Sequence, residues 1–137
     1  MAISSGLDRR VRARAKDLCE YCRLPQAAFP WTFQVDHIIA EQHRGKTQLN
    51  NLSLACPRCN RRKGPNLSGI DIQTRQLTPL YHPRRDRWSD HFRWRGPRLI
   101  GLTPTGRVTI QVLNINHPDD IKLRRMLIAE GVFPPDV

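Results

Sequence analysis

The sequence predicts an α+β fold, and three observations lead to this fold class. A strand–loop–strand–helix pattern runs from Trp31 to Lys63, one CxxC motif precedes it, and a second opens its helix. Helical segments are predicted at both ends of the chain, before this pattern and after it. The composition changes near residue 66, so we expect a core at 1–66 and a C-terminal extension at 67–137 that packs on the core.

The N-terminal segment predicts a helix from about Leu7 to Leu18. Apolar residues recur there at helical spacing, and Ser5 followed by Asp8 resembles a capping box. The other face carries the basic residues Arg9, Arg10, Arg12, Arg14 and Lys16. A solvated helix face and a phosphate-binding face both explain these charges.

The middle of the chain predicts two strands and a short helix. Residues Trp31–Ile39 are rich in β-branched and aromatic side chains, which favours a strand. A polar loop follows at 41–48, and the alternation in Leu52–Ala55 predicts the second strand. Pro57 suits the first turn of a helix, and Gly64 ends it.

The extension predicts a β-hairpin and a final helix. Strands are expected at Leu99–Leu102 and Arg107–Leu113, on either side of a turn at Thr103–Gly106. A helix capped by Asp119 or Asp120 would run to about Glu130. Six arginines are interleaved with Trp88, Phe92 and Trp94. These aromatic residues suit either base stacking or packing of the extension on the core. We favour packing for at least two of the three.

The charge balance indicates a polyanionic partner. The 137 residues include 23 Lys and Arg against 12 Asp and Glu, which gives a formal net charge of +11. Residues 1–66 hold 12 basic and 5 acidic groups, and residues 67–137 hold 11 and 7. Nucleic acid is the leading partner class and an anionic membrane surface the second. No apolar stretch approaches the roughly 18 to 20 residues of a membrane span, and no secretory signal is evident, so we expect a cytoplasmic protein.

The four cysteines form two pairs of identical spacing, Cys19 with Cys22 and Cys56 with Cys59. Two CxxC motifs in a short basic chain favour a tetrahedral zinc site, because each can present two thiolates to one ion. There are two alternatives. Disulfides suit secreted domains, and a redox-active CxxC motif would not need a second CxxC motif. Four cysteine ligands leave no open coordination position, so we expect a structural zinc ion.

Residues with useful chemistry lie between the two cysteine pairs and directly after the second pair. The unperturbed pKa of an imidazole, about 6.5, lets His37 accept a proton near neutral pH. Asp36 offers a hard oxygen ligand for a divalent cation, and Asn60 could offer a carbonyl oxygen to the same ion. An all-oxygen pair favours Mg²⁺ or Mn²⁺ over Zn²⁺.

Their order and spacing resemble the HNH endonuclease family, whose fold is also called ββα-metal. The matching stretches are Cys19–Cys22, Val35–Ile39 and Asn51–Lys63, and the likeness spans about 9–65. The extension looks like that of small stand-alone bacterial members of the family. One family position that is often His is Asn60 here, which is similar to the HNH domains of RNA-guided CRISPR nucleases.

The resemblance implies a role for each matched residue. His37 would be the general base, and Asp36 a ligand of the catalytic ion. Asn51 would tether the loop and orient the base, although Asn50 leaves the register open. Lys63 would hold a substrate phosphate, or would simply be a cation favoured at a helix C-terminus.

We therefore expect a metal-dependent HNH endonuclease that hydrolyses DNA phosphodiester bonds. The resemblance implies nicking at a single site per chain, 5′-phosphate and 3′-hydroxyl products, and Mg²⁺ or Mn²⁺ besides the structural Zn²⁺. DNA is the expected partner, RNA stays open as a substrate, no membrane is involved, and the protein would be a monomer or a weak dimer. The alternative is a non-catalytic, zinc-stabilised nucleic-acid-binding module, which would need no base beside oxygen ligands.

Overall fold

The structure, a computed structural model, describes residues 3–136 and has the mixed helix and strand content of an α+β fold. These residues form two compact units, the first comprising residues up to 65 with 82–84, and the second 66–81 with the residues from 85. In chain order the elements are α1 (Ser5–Ala15), β1 (Gln34–His37), β2 (Leu52–Ala55), α2 (Pro57–Lys63), β3 (Ser68–Ile70), β4 (Leu77–Pro79), α3 (Trp88–His91), β5 (Phe92–Arg95), β6 (Arg98–Gly101), α4 (Pro104–Val112) and α5 (Pro118–Ala129).

In the first unit, α1 is shorter than the sequence predicts. Its N-cap is Ser4 rather than Ser5, and the Ser4 hydroxyl accepts a hydrogen bond from the Leu7 amide at 3.2 Å. The helix ends at Ala15 because Lys16 and Asp17 adopt left-handed backbone conformations, with φ of 56° and 55°. The helix therefore stops three residues before Leu18.

The strand–loop–strand–helix order predicted for the first unit is confirmed. The strands β1 and β2 pair antiparallel, with Asp36 opposite Ser53 and His37 opposite Leu52. The first strand covers 34–37, which is less than the predicted Trp31–Ile39, and the second covers the predicted residues. All four residues of β2 are buried, and both α1 and α2 contact it, so this strand lies at the centre of the unit.

The second unit contains two hairpins and a helix that packs on them. The strand β3 pairs with β4, β5 pairs with β6, and α4 contacts three of these four strands. A Cβ on Gly69 would lie 3.1 Å from Val108 and 3.0 Å from Val112, so the glycine lets α4 approach β3 closely. The core of the second unit includes Leu99, Val108, Leu113 and Ile115, each no more than 1% exposed.

The hairpin predicted around residues 103–106 is wrong, because this segment begins α4. The Thr103 hydroxyl accepts a hydrogen bond from the Gly106 amide at 3.0 Å, and Pro104 occupies the first turn. Val108 and Val112, which alternate with polar residues as in a strand, are four apart and face β3 together. The hairpin turn lies earlier, between β5 and β6, where Gly96 has a φ of 57°.

The last helix and the aromatic cluster complete the second unit. The helix α5 is capped by His117 rather than by Asp119 or Asp120, and its side chain accepts a hydrogen bond from the Asp119 amide at 3.0 Å. The Trp88 ring lies 5.2 Å from Phe92 and 6.0 Å from Trp94, so these aromatic residues pack against one another within the second unit. No helix within residues 3–136 is both long and apolar enough to cross a membrane.

Candidate active site

Asp36 and His37 lie at the end of β1 and face one another. Consecutive residues within a strand point to opposite sides of a sheet. His37 is the last residue of β1, so this alternation ends there. Its Nδ1 atom lies 3.8 Å from Oδ1 of Asp36. The Asp36 side chain is 46% exposed and that of His37 is 9% exposed, so solvent reaches the carboxylate far more freely than the imidazole.

The second ring nitrogen of His37 is held by a residue that sequence reasoning missed. Its Nε2 atom lies 2.8 Å from the hydroxyl of Thr47, in the loop between β1 and β2. This contact joins residues ten apart across an irregular loop, so no periodicity or motif marks Thr47 in the sequence. With Nε2 bonded to Thr47, Nδ1 is the ring nitrogen on the side of Asp36.

Asn51 fixes the loop that carries Thr47. Its side-chain oxygen accepts from the Ile39 amide at 2.9 Å, and its side-chain nitrogen donates to the carbonyls of Ile39 at 3.0 Å and Lys46 at 2.9 Å. Asn51 is 7% exposed, whereas Asn50 is exposed. The structure thus places Asn51, and not Asn50, at the position that joins the two ends of the loop.

Gly45 makes this arrangement possible. A Cβ at residue 45 would lie 1.7 Å from the Ile39 carbonyl oxygen and 2.8 Å from the side-chain nitrogen of Asn51. No side chain fits there without moving the backbone, so the approach of the loop to the strand end requires glycine.

The short helix α2 lies along the face of β1 that carries Asp36. The side-chain nitrogen of Asn60 donates to the side-chain oxygen of Gln34. Gln34 precedes Asp36 by two residues, so both project from the same face of the strand. This contact places Asn60 on the face of Asp36, and Gln34 is a second residue that sequence reasoning missed, although its i, i+2 spacing from Asp36 is a signal.

Lys63 is a buried tether at the end of β1. Its ammonium donates to the Ile38 carbonyl at 2.8 Å, and the residue is 6% exposed. Burial lowers the pKa of Lys63, and the negative charge of Asp36 partly offsets this effect. Lys63 and Asn51 therefore hold the two residues that follow His37, Ile38 and Ile39.

The four cysteines come together in the first unit. Their sulfurs all lie within 4.8 Å of one another, all four residues are buried, and all four are free thiols rather than disulfides. The sulfurs of Cys22 and Cys56 are 3.9 Å apart, close to the roughly 3.8 Å between ligands at 2.3 Å from a tetrahedral zinc ion. The cluster could therefore hold one metal ion.

Other contacts join this cluster to the β-hairpin. Cys56 caps α2, and its sulfur accepts from the Cys59 amide at 3.4 Å. Glu20, inside the first CxxC motif, accepts from the Leu54 amide at 2.8 Å and forms an ion pair with Arg84. These contacts tie the cysteine motifs to β2.

Contacts among the four thiols shift the pKa values of Cys19, Cys22 and Cys59. Although burial raises the pKa of Cys19, hydrogen bonds from the other three thiols hold it well below its ordinary value. The hydrogen bond to Cys19 raises the pKa of Cys22 and of Cys59, and burial adds to this effect. Without a cation the cluster favours one thiolate over several, and a bound metal ion would stabilise the others.

Comparison with known proteins identifies the domain that contains both sites. Residues 19–66 match the family model described as HNH endonuclease, and this stretch includes all four cysteines together with Asp36, His37, Asn51, Asn60 and Lys63. The segment is an HNH domain. The match relates this segment of the chain to a family of endonucleases.

One similar protein is a curated relative from Bacillus thuringiensis. The chain is 29% identical over 113 residues to the Septu protein PtuB of that organism. The match covers 81% of this chain and 41% of the relative, so the chain spans about two fifths of the relative's length. The matched stretch of 113 residues is longer than the first unit, and it therefore includes part of the second unit. No solved structure gives a significant match.

The contacts of Asn51 predict that its side chain stabilises the first unit. Replacing Asn51 by Ala leaves one amide and two carbonyls without their partner, so we expect the free energy of unfolding to fall by about 1–3 kcal/mol. Asn50→Ala, in the exposed neighbour, is the matched control and should change it by less than about 0.5 kcal/mol. Urea unfolding measures both variants, and an equal loss in the two would contradict the assignment of the contact to Asn51.

Proposed function

We propose that this chain is a metal-dependent endonuclease that hydrolyses phosphodiester bonds in DNA. The observation that supports this most directly is the Asp36–His37 pair, with 3.8 Å between carboxylate and imidazole, in an HNH domain. The backbone beyond the pair is held by Lys63 and by Asn51. A passive binding module would not need such a braced acid–imidazole pair.

In this proposal His37 is the general base. The Nε2–H group donates to Thr47, which leaves the lone pair of Nδ1 on the side of Asp36. Nδ1 removes a proton from a water molecule as its oxygen attacks phosphorus in line. The bond from phosphorus to the 3′-oxygen breaks, and that oxygen takes a proton from solvent. The products carry a 5′-phosphate and a 3′-hydroxyl, with one strand cut per site.

Asp36 and Asn60 would hold the catalytic divalent cation. Within residues 3–136, the cysteine cluster is the only group of three or more His, Cys, Asp or Glu side chains arranged to bind a metal ion. An ion beside Asp36 would thus have few protein ligands, and this suits Mg²⁺ or Mn²⁺, which keep several waters. When bound, the cation would stabilise the negative charge that develops on the phosphate and the leaving oxygen.

Lys63 supports the site by holding its backbone. An ammonium that is 6% exposed and bonded to the Ile38 carbonyl is poorly placed to reach a phosphate in solvent. We propose that it fixes the end of β1 beside His37 and balances part of the negative charge of Asp36. This role is structural and electrostatic, and it differs from both roles considered from the sequence.

The four cysteines would bind a structural zinc ion. Four thiolates saturate a tetrahedral Zn²⁺ ion, so it would take no part in hydrolysis. The ion would join the two CxxC motifs and thereby fix α2, which carries Asn60, against β2.

The cleavage assay tests the role of His37. With Mg²⁺ or Mn²⁺ the protein should nick supercoiled plasmid, and His37→Ala should slow nicking by about 10²- to 10⁴-fold, the usual contribution of a general base. His43→Ala, in the exposed loop, is the matched control and should retain the rate. Gel analysis of the plasmid forms measures the rates.

Two outcomes would contradict the proposal in different ways. Unchanged nicking by His37→Ala would remove His37 as the base. Tight DNA binding without nicking in any divalent metal would favour the non-catalytic binding module instead.

The contact between His37 and Thr47 predicts a second effect on the rate. Thr47→Val keeps the shape of the side chain but cannot accept from Nε2, so single-turnover cleavage should slow by about 10- to 100-fold, as for other residues that orient an imidazole. Thr47→Ser keeps the hydroxyl and should restore most of the rate. A Val variant as fast as the Ser variant would show that the hydroxyl does not orient the base.

Metal analysis tests the zinc site separately from catalysis. After dialysis the protein should retain about one zinc ion per chain, and Cys59→Ala should lose it and unfold the first unit. Cobalt-substituted protein should show thiolate-to-metal charge-transfer absorption. A folded protein that holds no zinc and takes up no cobalt would overturn the assignment.

A further inference from the structure

Trp31 is an exposed aromatic residue on a segment with fixed geometry. It is 66% exposed, whereas Trp88 and Trp94 are half-buried. The side chain of Gln26 donates to the Trp31 carbonyl at 3.0 Å and accepts from the Phe33 amide at 2.7 Å, so the backbone around the indole is held in place. The proposed hydrolysis does not use this side chain.

The Phe29 ring contacts the indole of Trp31, and a guanidinium lies over that Phe29 ring. The Phe29 ring lies 5.4 Å from Trp31 at an interplanar angle of 58°, and the Arg58 guanidinium lies 5.4 Å from the centre of the Phe29 ring. Arg61 and Arg62 follow on the same short helix as Arg58. An exposed indole beside a ring that carries a guanidinium combines a surface on which bases stack with positive charge that attracts phosphates.

Trp31 lies close in the sequence to the proposed site. Two contacts join this part of the chain to α2. Phe29 contacts Arg58, and Gln34 contacts Asn60, which lies two residues further along the helix. Trp31 and Asp36 are five positions apart in the sequence, a backbone distance of at most about 17 Å at 3.3 Å per residue. This length corresponds to about five base-pair steps along the axis of a DNA duplex.

We propose that Trp31 stacks on an unpaired base near the cut, and that the protein therefore prefers single-stranded or locally melted nucleic acid to intact duplex. In a duplex both faces of each base are covered by its neighbours, and an indole can reach a base face only where the stack is open. The position of the base relative to the cut rests on the proposed function, whereas the stacking contact does not.

The experiment measures binding in buffer without added divalent metal, so that cleavage plays no part. Fluorescence anisotropy of labelled DNA gives dissociation constants for a single strand, an intact duplex, and a duplex with a central unpaired segment. We expect the full chain to bind the single strand and the melted duplex more tightly than the intact duplex. Trp31→Ala should weaken these two complexes by about 5- to 150-fold, the usual contribution of one stacked base, and leave the duplex unchanged.

Two further variants make the result specific. Trp31→Phe keeps an aromatic face and should retain most of the preference. Ile72→Ala removes a side chain that is 71% exposed in the second unit, and it should leave all three complexes unchanged. Thermal unfolding should be unaltered in Trp31→Ala, because the side chain is mostly in solvent.

The outcomes separate this inference from the proposed function. Equal weakening of all three complexes by Trp31→Ala would overturn the stacking contact. Unchanged binding of all three would overturn it as well, and the indole would then serve another partner, such as a protein. Loss of the preference in a protein that cuts no DNA would contradict the endonuclease proposal and leave the stacking contact standing.

Discussion

The first unit depends on one buried amide, the side chain of Asn51. A loop with two short 3₁₀ turns connects β1 and β2, and its polar groups need partners wherever they leave water. The Asn51 side chain makes three of these hydrogen bonds, two to the backbone of Ile39 and one to the carbonyl of Lys46. Gly45 allows the approach, and Thr47 consequently reaches the imidazole of His37. The geometry around His37 is thus set by contacts that His37 itself does not make.

The cysteine cluster and the catalytic candidates share the hairpin and helix but differ in burial. All four thiols are buried, whereas the Asp36 carboxylate is 46% exposed. A buried set of four soft ligands suits a structural ion, and an exposed oxygen ligand suits a cation that keeps its waters and meets a substrate. The short helix α2 serves both, since Cys59 lies on its cluster side and Asn60 on its β1 side. A small unit with a thin hydrophobic core can hold these residues in place because metal binding would add to its stability.

Local patterns predicted the elements of the first unit better than those of the second. The CxxC motifs, Pro57 and Gly64 act through neighbouring residues, so their consequences are visible in sequence, and α2 begins and ends as predicted. The segment at 104–112 alternates like a strand and also repeats at i, i+4 like a helix. The Thr103 cap and the packing of Val108 and Val112 against Gly69 select the helix. Packing of this kind comes from residues more than thirty positions away, and no local pattern contains it.

The sequence by itself determined the chemistry that is present in the HNH domain. Two cysteine pairs of one spacing, an Asp-His dipeptide and the Asn and Lys that follow are properties of order and residue type. Only the tertiary structure decided how these groups are used. It separates Asn51 from Asn50 by burial, turns Lys63 inward to the Ile38 carbonyl, and brings Thr47 and Gln34 to the site. The physical reason is that hydrogen bonds and burial depend on which backbone atoms meet after folding, and the closing of the loop between β1 and β2 is what brings them together.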